Sequence, residues 1–158
     1  MDQQEILALL DQKQISYVIY KHVPLYTMED LFKANLPDTF LVPKNLFIRD
    51  DKKRNYYLIT AMEDKVIDLK EFRKQFSTRP LSFASSEDLM KYLKLLKGSV
   101  TPFGLLNNEQ VNVHFFLDQR FLETKIGIHP NINTATLFLN TKDLIALIEE
   151  HGNPITLF

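Results

Sequence analysis

Asn45-Leu46-Phe47-Ile48-Arg49 and Tyr56-Tyr57-Leu58-Ile59-Thr60-Ala61-Met62, separated by Asp50-Asp51-Lys52-Lys53-Arg54-Asn55, decide the fold class of this chain. Both runs are apolar and carry β-branched or aromatic residues, and the charged segment between them reads as a turn, so the pair predicts a β-hairpin with an exposed tip. Upstream, Ile6, Leu7, Leu9 and Leu10 fall between polar positions, which predicts a short amphipathic helix over residues 2–14, packed on a sheet. Residues 17–20 read as a strand and His22-Val23-Pro24 as a turn. Thr27-Met28-Glu29-Asp30 reads as a capped helix start, and that helix must stop before Pro37. Downstream, residues 68–76 predict a helix and 81–84 a short strand. Ser85-Ser86-Glu87-Asp88 opens a helix running toward Lys97, with Gly98 ending it. Strands follow at 111–117, 125–128 and 135–139, then a last helix from 141 to 150 that ends near Gly152. Short turns between successive strands imply antiparallel pairing. The expected class is therefore α/β of a mixed, α+β-like kind: a curved, mostly antiparallel mixed sheet flanked by helices, not a doubly wound parallel sheet.

Composition sets further bounds. The 158 residues suit a single domain over 1–158, with 45% hydrophobic and 25% charged residues and no run approaching the ~20 apolar residues of a membrane span. The opening Met1-Asp2-Gln3-Gln4-Glu5 has acids and amides where a secretory leader carries positive charge, so the expected location is cytoplasmic, with no membrane partner. The absence of cysteine excludes disulfides, thiolate metal sites and a cysteine nucleophile. A net charge of -1 excludes extensive wrapping of nucleic acid. Clusters at Lys52-Lys53-Arg54, at Arg73, Lys74 and Arg79, and at Lys91, Lys94 and Lys97 leave room for local contact with one RNA end, although solvated surface is the default for each.

Signatures of several chemistries are missing. The glycines at 98, 104, 127 and 152 form neither a dinucleotide fingerprint nor a phosphate loop. The histidines at 22, 114, 129 and 151 lack local metal-ligand spacing, and no G-x-S-x-G elbow is present. Gly98-Ser99-Val100-Thr101-Pro102-Phe103-Gly104 stands out: a glycine lets the backbone turn sharply and Pro102 restricts the conformation of the segment after it, so amide N–H groups can be aimed at a carbonyl oxygen that gains charge during ester hydrolysis. A helix cap with an ordinary connection accounts for the same spacing. Lys44 can reach a phosphate or a ribose, Asn45 offers donors and an acceptor, and His129 at a strand end suits an orienting hydrogen bond or a proton transfer; each also has a purely structural reading.

Lys44-Asn45-Leu46-Phe47-Ile48-Arg49, Leu81-Ser82-Phe83-Ala84-Ser85, Gly98-Ser99-Val100-Thr101-Pro102-Phe103-Gly104-Leu105 and His129-Pro130 with Asn133-Thr134-Ala135-Thr136 together resemble the free-standing prolyl-tRNA editing proteins. These belong to the YbaK/aminoacyl-tRNA synthetase-associated domain superfamily, related to the editing insertion of bacterial prolyl-tRNA synthetase. The match spans nearly the whole chain, and the G-x-x-x-P loop is its most specific short signature. The resemblance implies the editing-domain fold and a hydrolase, an aminoacyl-tRNA deacylase acting in translation fidelity. Its substrate would be mischarged tRNA(Pro), first of all Ala-tRNA(Pro), with release of the amino acid and free tRNA. Water would be the nucleophile, assisted by the neighbouring ribose hydroxyl, without metal or other cofactor.

By the same resemblance, Lys44 contacts the terminal adenosine or its phosphate, Asn45 and His129 organise the substrate, and the loop from Gly98 through Ser99, Val100 and Thr101 to Pro102 holds the aminoacyl carbonyl. Phe47, Leu105 and Ile128 are the expected lining of a small pocket that admits alanine and refuses the bulkier proline. The apolar approach Phe40-Leu41-Val42-Pro43 departs from what can be matched to the family and bears on the pocket mouth. The expected partner is the acceptor end of aminoacylated tRNA(Pro), with transient association to prolyl-tRNA synthetase or elongation factor. Two alternatives stay open at this point: a Cys-tRNA(Pro) deacylase and a non-catalytic module that senses tRNA or an amino acid.

Overall fold

The hairpin forms where the sequence places it. In a computed structural model describing residues 1–158, β2 (Lys44–Asp50) and β3 (Tyr56–Ala61) pair antiparallel, with Asn45 opposite Thr60 and Phe47 opposite Leu58. Asp50 is almost fully buried because it closes the turn. Its Oδ1 accepts from the Arg54 N–H at 2.9 Å and its Oδ2 from the Asn55 amide at 2.7 Å.

Three more strands extend this sheet. β4 (Leu81–Phe83) pairs antiparallel with the outer edge of β2, β5 (Val113–Leu117) runs parallel to β3, and β8 (Ile155–Leu157) parallel to β5, giving the order β4-β2-β3-β5-β8. A second, wholly antiparallel sheet has the order β1-β7-β6, from Tyr17–Lys21, Ala135–Asn140 and Lys125–Ile128. Antiparallel pairing dominates and the arrangement is mixed, as expected. The strands are nevertheless divided between two sheets, which lets two apolar faces share one interior.

Side-chain alternation along β2, β3 and β5 separates two cores. Phe47, Tyr56, Leu58, Val113, Phe115 and Leu117 join the main cluster, which also takes Ile126, Ile128, Leu137 and Leu139 from the second sheet. α1 (Gln3–Gln12), α4 (Ser86–Leu93) and α5 (Thr141–His151) add Ile6 and Leu10, Leu89 and Leu93, and Leu144 and Ile148 to it. On the opposite face, Ile48, Ile59 and Phe116 are covered by Phe72 and Phe76 of α3 (Leu69–Phe76). Capping boxes fix two helix starts: Thr27 with Asp30 for α2 (Met28–Lys33), and Ser85 with Asp88 for α4. Gly152, at φ +109°, ends α5.

Departures from the sequence reading have local causes. α4 stops at Leu93, with Lys94 in the left-handed conformation, instead of running toward Lys97; Gly98 is not its cap. Leu93 and Leu95 are both in the core, and two helical residues two apart face nearly opposite sides, so the helix must break between them. Pro102–Asn107 forms a 3₁₀ helix, and the strand expected from residue 111 begins at Val113. β8 was not anticipated from the sequence. No helix is long and apolar enough to cross a membrane.

Candidate functional site

A cleft opens where β4 ends. β4 pairs with β2 only over Ile48–Asp50, followed by one bond from the Ala84 N–H to the Phe47 carbonyl at 2.9 Å. Backbone groups alternate in direction along a strand, so the N–H and C=O of Asn45 point to the same side as the Phe47 carbonyl, beyond the reach of β4. The resulting cleft has a volume of about 430 Å³. Asn45, Leu46 and Phe47 form one wall and Lys97, Gly98 and Val100 the other; Phe83 to Ser86 close a third side, and Leu89 of α4 supplies apolar surface.

Asn45 is held from beneath. Thr60, its direct neighbour on β3 and fully buried, donates from Oγ1 to Asn45 Oδ1 at 2.6 Å. This leaves both amide hydrogens of Asn45 for another partner. Across the cleft, Gly98 adopts φ +89° in a turn closed by the Ser99 N–H donating to the Leu96 carbonyl at 3.0 Å. A β-carbon at 98 would lie 2.9 Å from Cε1 of Tyr26, so only glycine fits there without displacing that ring. The segment preceding Tyr26 is itself fixed. The Asn133 side chain accepts from the Leu25 N–H at 3.0 Å and donates to the Leu25 carbonyl at 2.9 Å.

The loop is also tied to the end of β6, where the Thr101 hydroxyl donates to the His129 carbonyl at 2.7 Å. The His129 ring is close to the Ala135 carbonyl, with Nδ1 at 2.8 Å. A carbonyl only accepts, so Nδ1 carries a hydrogen. Burial lowers the His129 pKa below the ordinary imidazole value; the bond to Ala135 opposes that shift and the neighbouring His22 reinforces it, with ring centroids 6.0 Å apart. His129 is thus neutral at pH 7, with Nε2 as its acceptor nitrogen.

Not every expected site residue reaches the cleft. Asn45, Phe47, Gly98 and Val100 line it together. Lys44 shares the α3 side of β2 with Leu46 and Ile48, and its ammonium donates to the Glu63 carbonyl at 3.2 Å. Leu105 and Ile128 are fully or nearly fully buried in the main core, and Thr101 and Pro102 are buried behind the loop; none of the four is part of the cleft wall, and neither are Ser99 and His129. Beside Phe47, the apolar lining expected from Leu105 and Ile128 comes instead from Leu89 and Val100, because the 3₁₀ helix turns Leu105 inward.

Below the cleft, Asp88 anchors α4 to the sheet. Arg49 Nη1 pairs with its Oδ2 at 2.6 Å and the Tyr56 hydroxyl donates to its Oδ1 at 3.1 Å. Burial works against ionisation of Asp88, but bonds from Ser85, Tyr56 and Arg49 outweigh it and hold the carboxyl below its ordinary value. Ser85 Oγ accepts the Asp88 N–H at 3.0 Å as the helix cap, so this cleft serine already has a structural partner. No three His, Asp or Glu side chains converge as a metal ion would need. The arrangement offers amide donors, an apolar wall and one cation to a ligand that carries a carbonyl group.

The family model for the aminoacyl-tRNA editing domain matches residues 22–147, which include every segment of the cleft and the loops tied to it. This chain belongs to that editing-domain family. It is 40% identical over 151 residues to the prolyl-tRNA editing protein ProX of Acetoanaerobium sticklandii, covering 95% of this chain and 92% of that protein. It is 32% identical over 163 residues to prolyl-tRNA synthetase associated domain-containing protein 1 of Mus musculus, covering 97% and 96%. Its fold matches the crystal structure of a proposed trans-editing enzyme for prolyl tRNA synthetase with a TM-score of 0.71, at 18% identity and over 98% and 94% of the two chains.

Within this editing domain, sequence reasoning missed Thr60 and gave Asn133, quoted only among the residues that carry the resemblance, no role of its own. Thr60 sits in a strand where β propensity alone explains a threonine, and its role emerges only from the register that sets it against Asn45. Asn133 is one of several asparagines in turn-rich segments, and its 7% exposure together with its two-way bond to Leu25 sets it apart. Lys97 stands out in the sequence only as part of a basic cluster, yet it is the one charged side chain that lines the cleft.

Proposed function

We propose that this chain is a single editing domain over residues 1–158 that hydrolyses the ester of mischarged tRNA(Pro) in trans, with Ala-tRNA(Pro) as its main substrate. The observation that carries the reading is the pairing of Asn45, fixed by Thr60, with the Gly98 turn across a cleft otherwise walled by Phe47, Leu89 and Val100. Amide donors fixed in advance stabilise a carbonyl oxygen as it becomes an oxyanion, without reorganising during the reaction. Asn45 Nδ2 and the Gly98 backbone N–H are the proposed donors, the Ser99 N–H being engaged by the Leu96 carbonyl. Water attacks the ester carbon, the ribose oxygen leaves, and the neighbouring ribose hydroxyl assists the proton transfer, so the protein acts chiefly by positioning. His129, neutral and joined to the loop through Thr101, is the proposed group that orients the substrate from the β6 side. Lys44 is the proposed contact for the RNA backbone outside the cleft.

The apolar wall favours a methyl over a hydroxymethyl group, because a buried hydroxyl without a partner costs about 1–3 kcal/mol. Cysteine is close to alanine in size and polarity, so a Cys-tRNA(Pro) deacylase is the nearest variant of the same reading. We place the activity in the cytoplasm, acting on the acceptor end of tRNA(Pro) after the synthetase, with transient association to that enzyme or to elongation factor. The test is single-turnover release of labelled amino acid from Ala-, Cys-, Ser- and Pro-tRNA(Pro), with Ala-tRNA(Ala) alongside. Rapid loss from Ala-tRNA(Pro), slowed in Asn45→Ala and Lys44→Ala, is the expected result. A Cys preference moves the substrate, and tRNA binding without turnover of any ester replaces the hydrolase by a sensing module.

A further inference from the structure

The cleft is far roomier than an alanyl group requires, and its rim differs from its interior. Phe83 lies on the rim at the end of the edge strand with 63% of its surface exposed, although it is the only phenylalanine in the cleft besides the buried Phe47. Lys97, also on the rim and exposed, makes no ion pair or hydrogen bond. No carboxylate lines the cleft, so an anion entering it meets a single charged group, the Lys97 ammonium. Other cations of this region lie outside the cleft lining: Arg49 is paired with Asp88, and Lys44 lies on the α3 side of β2. A flat apolar ring and an unpaired ammonium, both exposed and lining the same cleft, suit a ligand with a planar base and an attached phosphate. Aromatic side chains stack bases of any sequence, and a lysine serves a phosphate as a point charge.

We infer that this rim is a subsite for the last nucleotide of an RNA 3′ end, with the Phe83 ring stacking its base and Lys97 contacting its phosphate. The inference rests on the proposed function and adds to it the residues that hold the end of the RNA while Asn45 and Gly98 face the ester.

Binding and turnover separate the two proposals. Fluorescence anisotropy of the full chain with an acceptor-stem hairpin ending in CCA, and with the same hairpin ending in CC, tests the subsite without catalysis. The intact protein is expected to prefer the CCA end by about fivefold or more, the scale of one stacked base. Phe83→Leu is expected to bring that ratio to near one and Phe83→Tyr to keep it. Lys97→Ala is expected to weaken the CCA hairpin selectively and to reduce the slope of log affinity against log salt by about 0.7, with Lys97→Arg restoring both. Circular dichroism and denaturation midpoints equal to those of the intact protein confirm that the variants fold. No preference for the CCA end, or a preference that Phe83→Leu and Lys97→Ala both retain, overturns the inference, and loss in only one variant overturns the role of the other residue. A preference that behaves as expected in a protein that hydrolyses none of the esters keeps the subsite and removes the deacylase.

Discussion

Replacing Thr60 by Val tests the claim that Asn45 works because it is held. Valine preserves the branched shape at a fully buried position and deletes one hydroxyl, the donor to Asn45 Oδ1 at 2.6 Å. One such bond contributes about 1 kcal/mol net to stability. For a chain of this length that is a fall of about 2–4 °C in the thermal midpoint. If the bond also fixes the amide in the reactive state, the same 1 kcal/mol lowers the single-turnover deacylation rate roughly fivefold. The informative experiment is the four-member cycle of intact protein, Thr60→Val, Asn45→Ala and the double variant, assayed for both rate and thermal midpoint. In the Asn45→Ala background the Thr60 hydroxyl is buried without its partner, so removing it is expected to leave the rate unchanged and to be neutral or stabilising. A Thr60→Val rate loss of equal size in both backgrounds, or no loss beside Asn45, refutes the reasoning.

Gly98→Val is expected to cost about 2 kcal/mol of stability, from a branched residue at φ +89° and a β-carbon 2.9 Å from the Tyr26 ring, and to lower deacylation far more than Ser99→Ala, whose stability stays within about 0.5 kcal/mol; urea midpoints and single-turnover rates measure both. Asp88→Ala removes the Arg49 partner, the Tyr56 acceptor and half of the α4 capping box, with an expected loss of about 2–4 kcal/mol by chemical denaturation, and Asp88→Asn recovers part of it. Burial lowers the pKa of His129 and of His114 in the folded chain, so between the ordinary imidazole value and those lowered values the unfolded chain binds more protons and stability falls as pH falls. Urea midpoints across that window are expected to drop less steeply with acid in His129→Gln than in the intact protein, and identical slopes contradict this.

The sequence made the hairpin, the capped starts of α2 and α4 and the stop of α5 at Gly152 legible, because each rests on neighbours within a few residues. It did not disclose the parallel pairs. β8 is three residues long and exists by pairing with β5, which no local pattern announces. The break after Leu93 depends on Leu95 reaching the core, a tertiary demand that overrides helix propensity. At the site, Asn45 could be chosen because asparagine is depleted in strands, and Gly98 because a glycine four residues before Pro102 marks a sharp turn. The direction of Lys44 toward Glu63, the inward turn of Leu105 and the support from Thr60 depend on strand facing and register, which are properties of the assembled sheets.

The amide of Asn133 joins Leu25 across 108 positions of the chain, and the Thr101 hydroxyl reaches the His129 carbonyl across 28. These ties hold the Gly98 turn between two distant segments, so no isolated fragment carries the pieces that shape the cleft. Such long closures come late in folding, after the hairpin and the helices have formed locally. Catalytic competence is therefore a readout of the finished molecule: in a denaturant titration, activity and the global structural signal should vanish at one midpoint, and a partly folded chain should retain helix without any ability to edit.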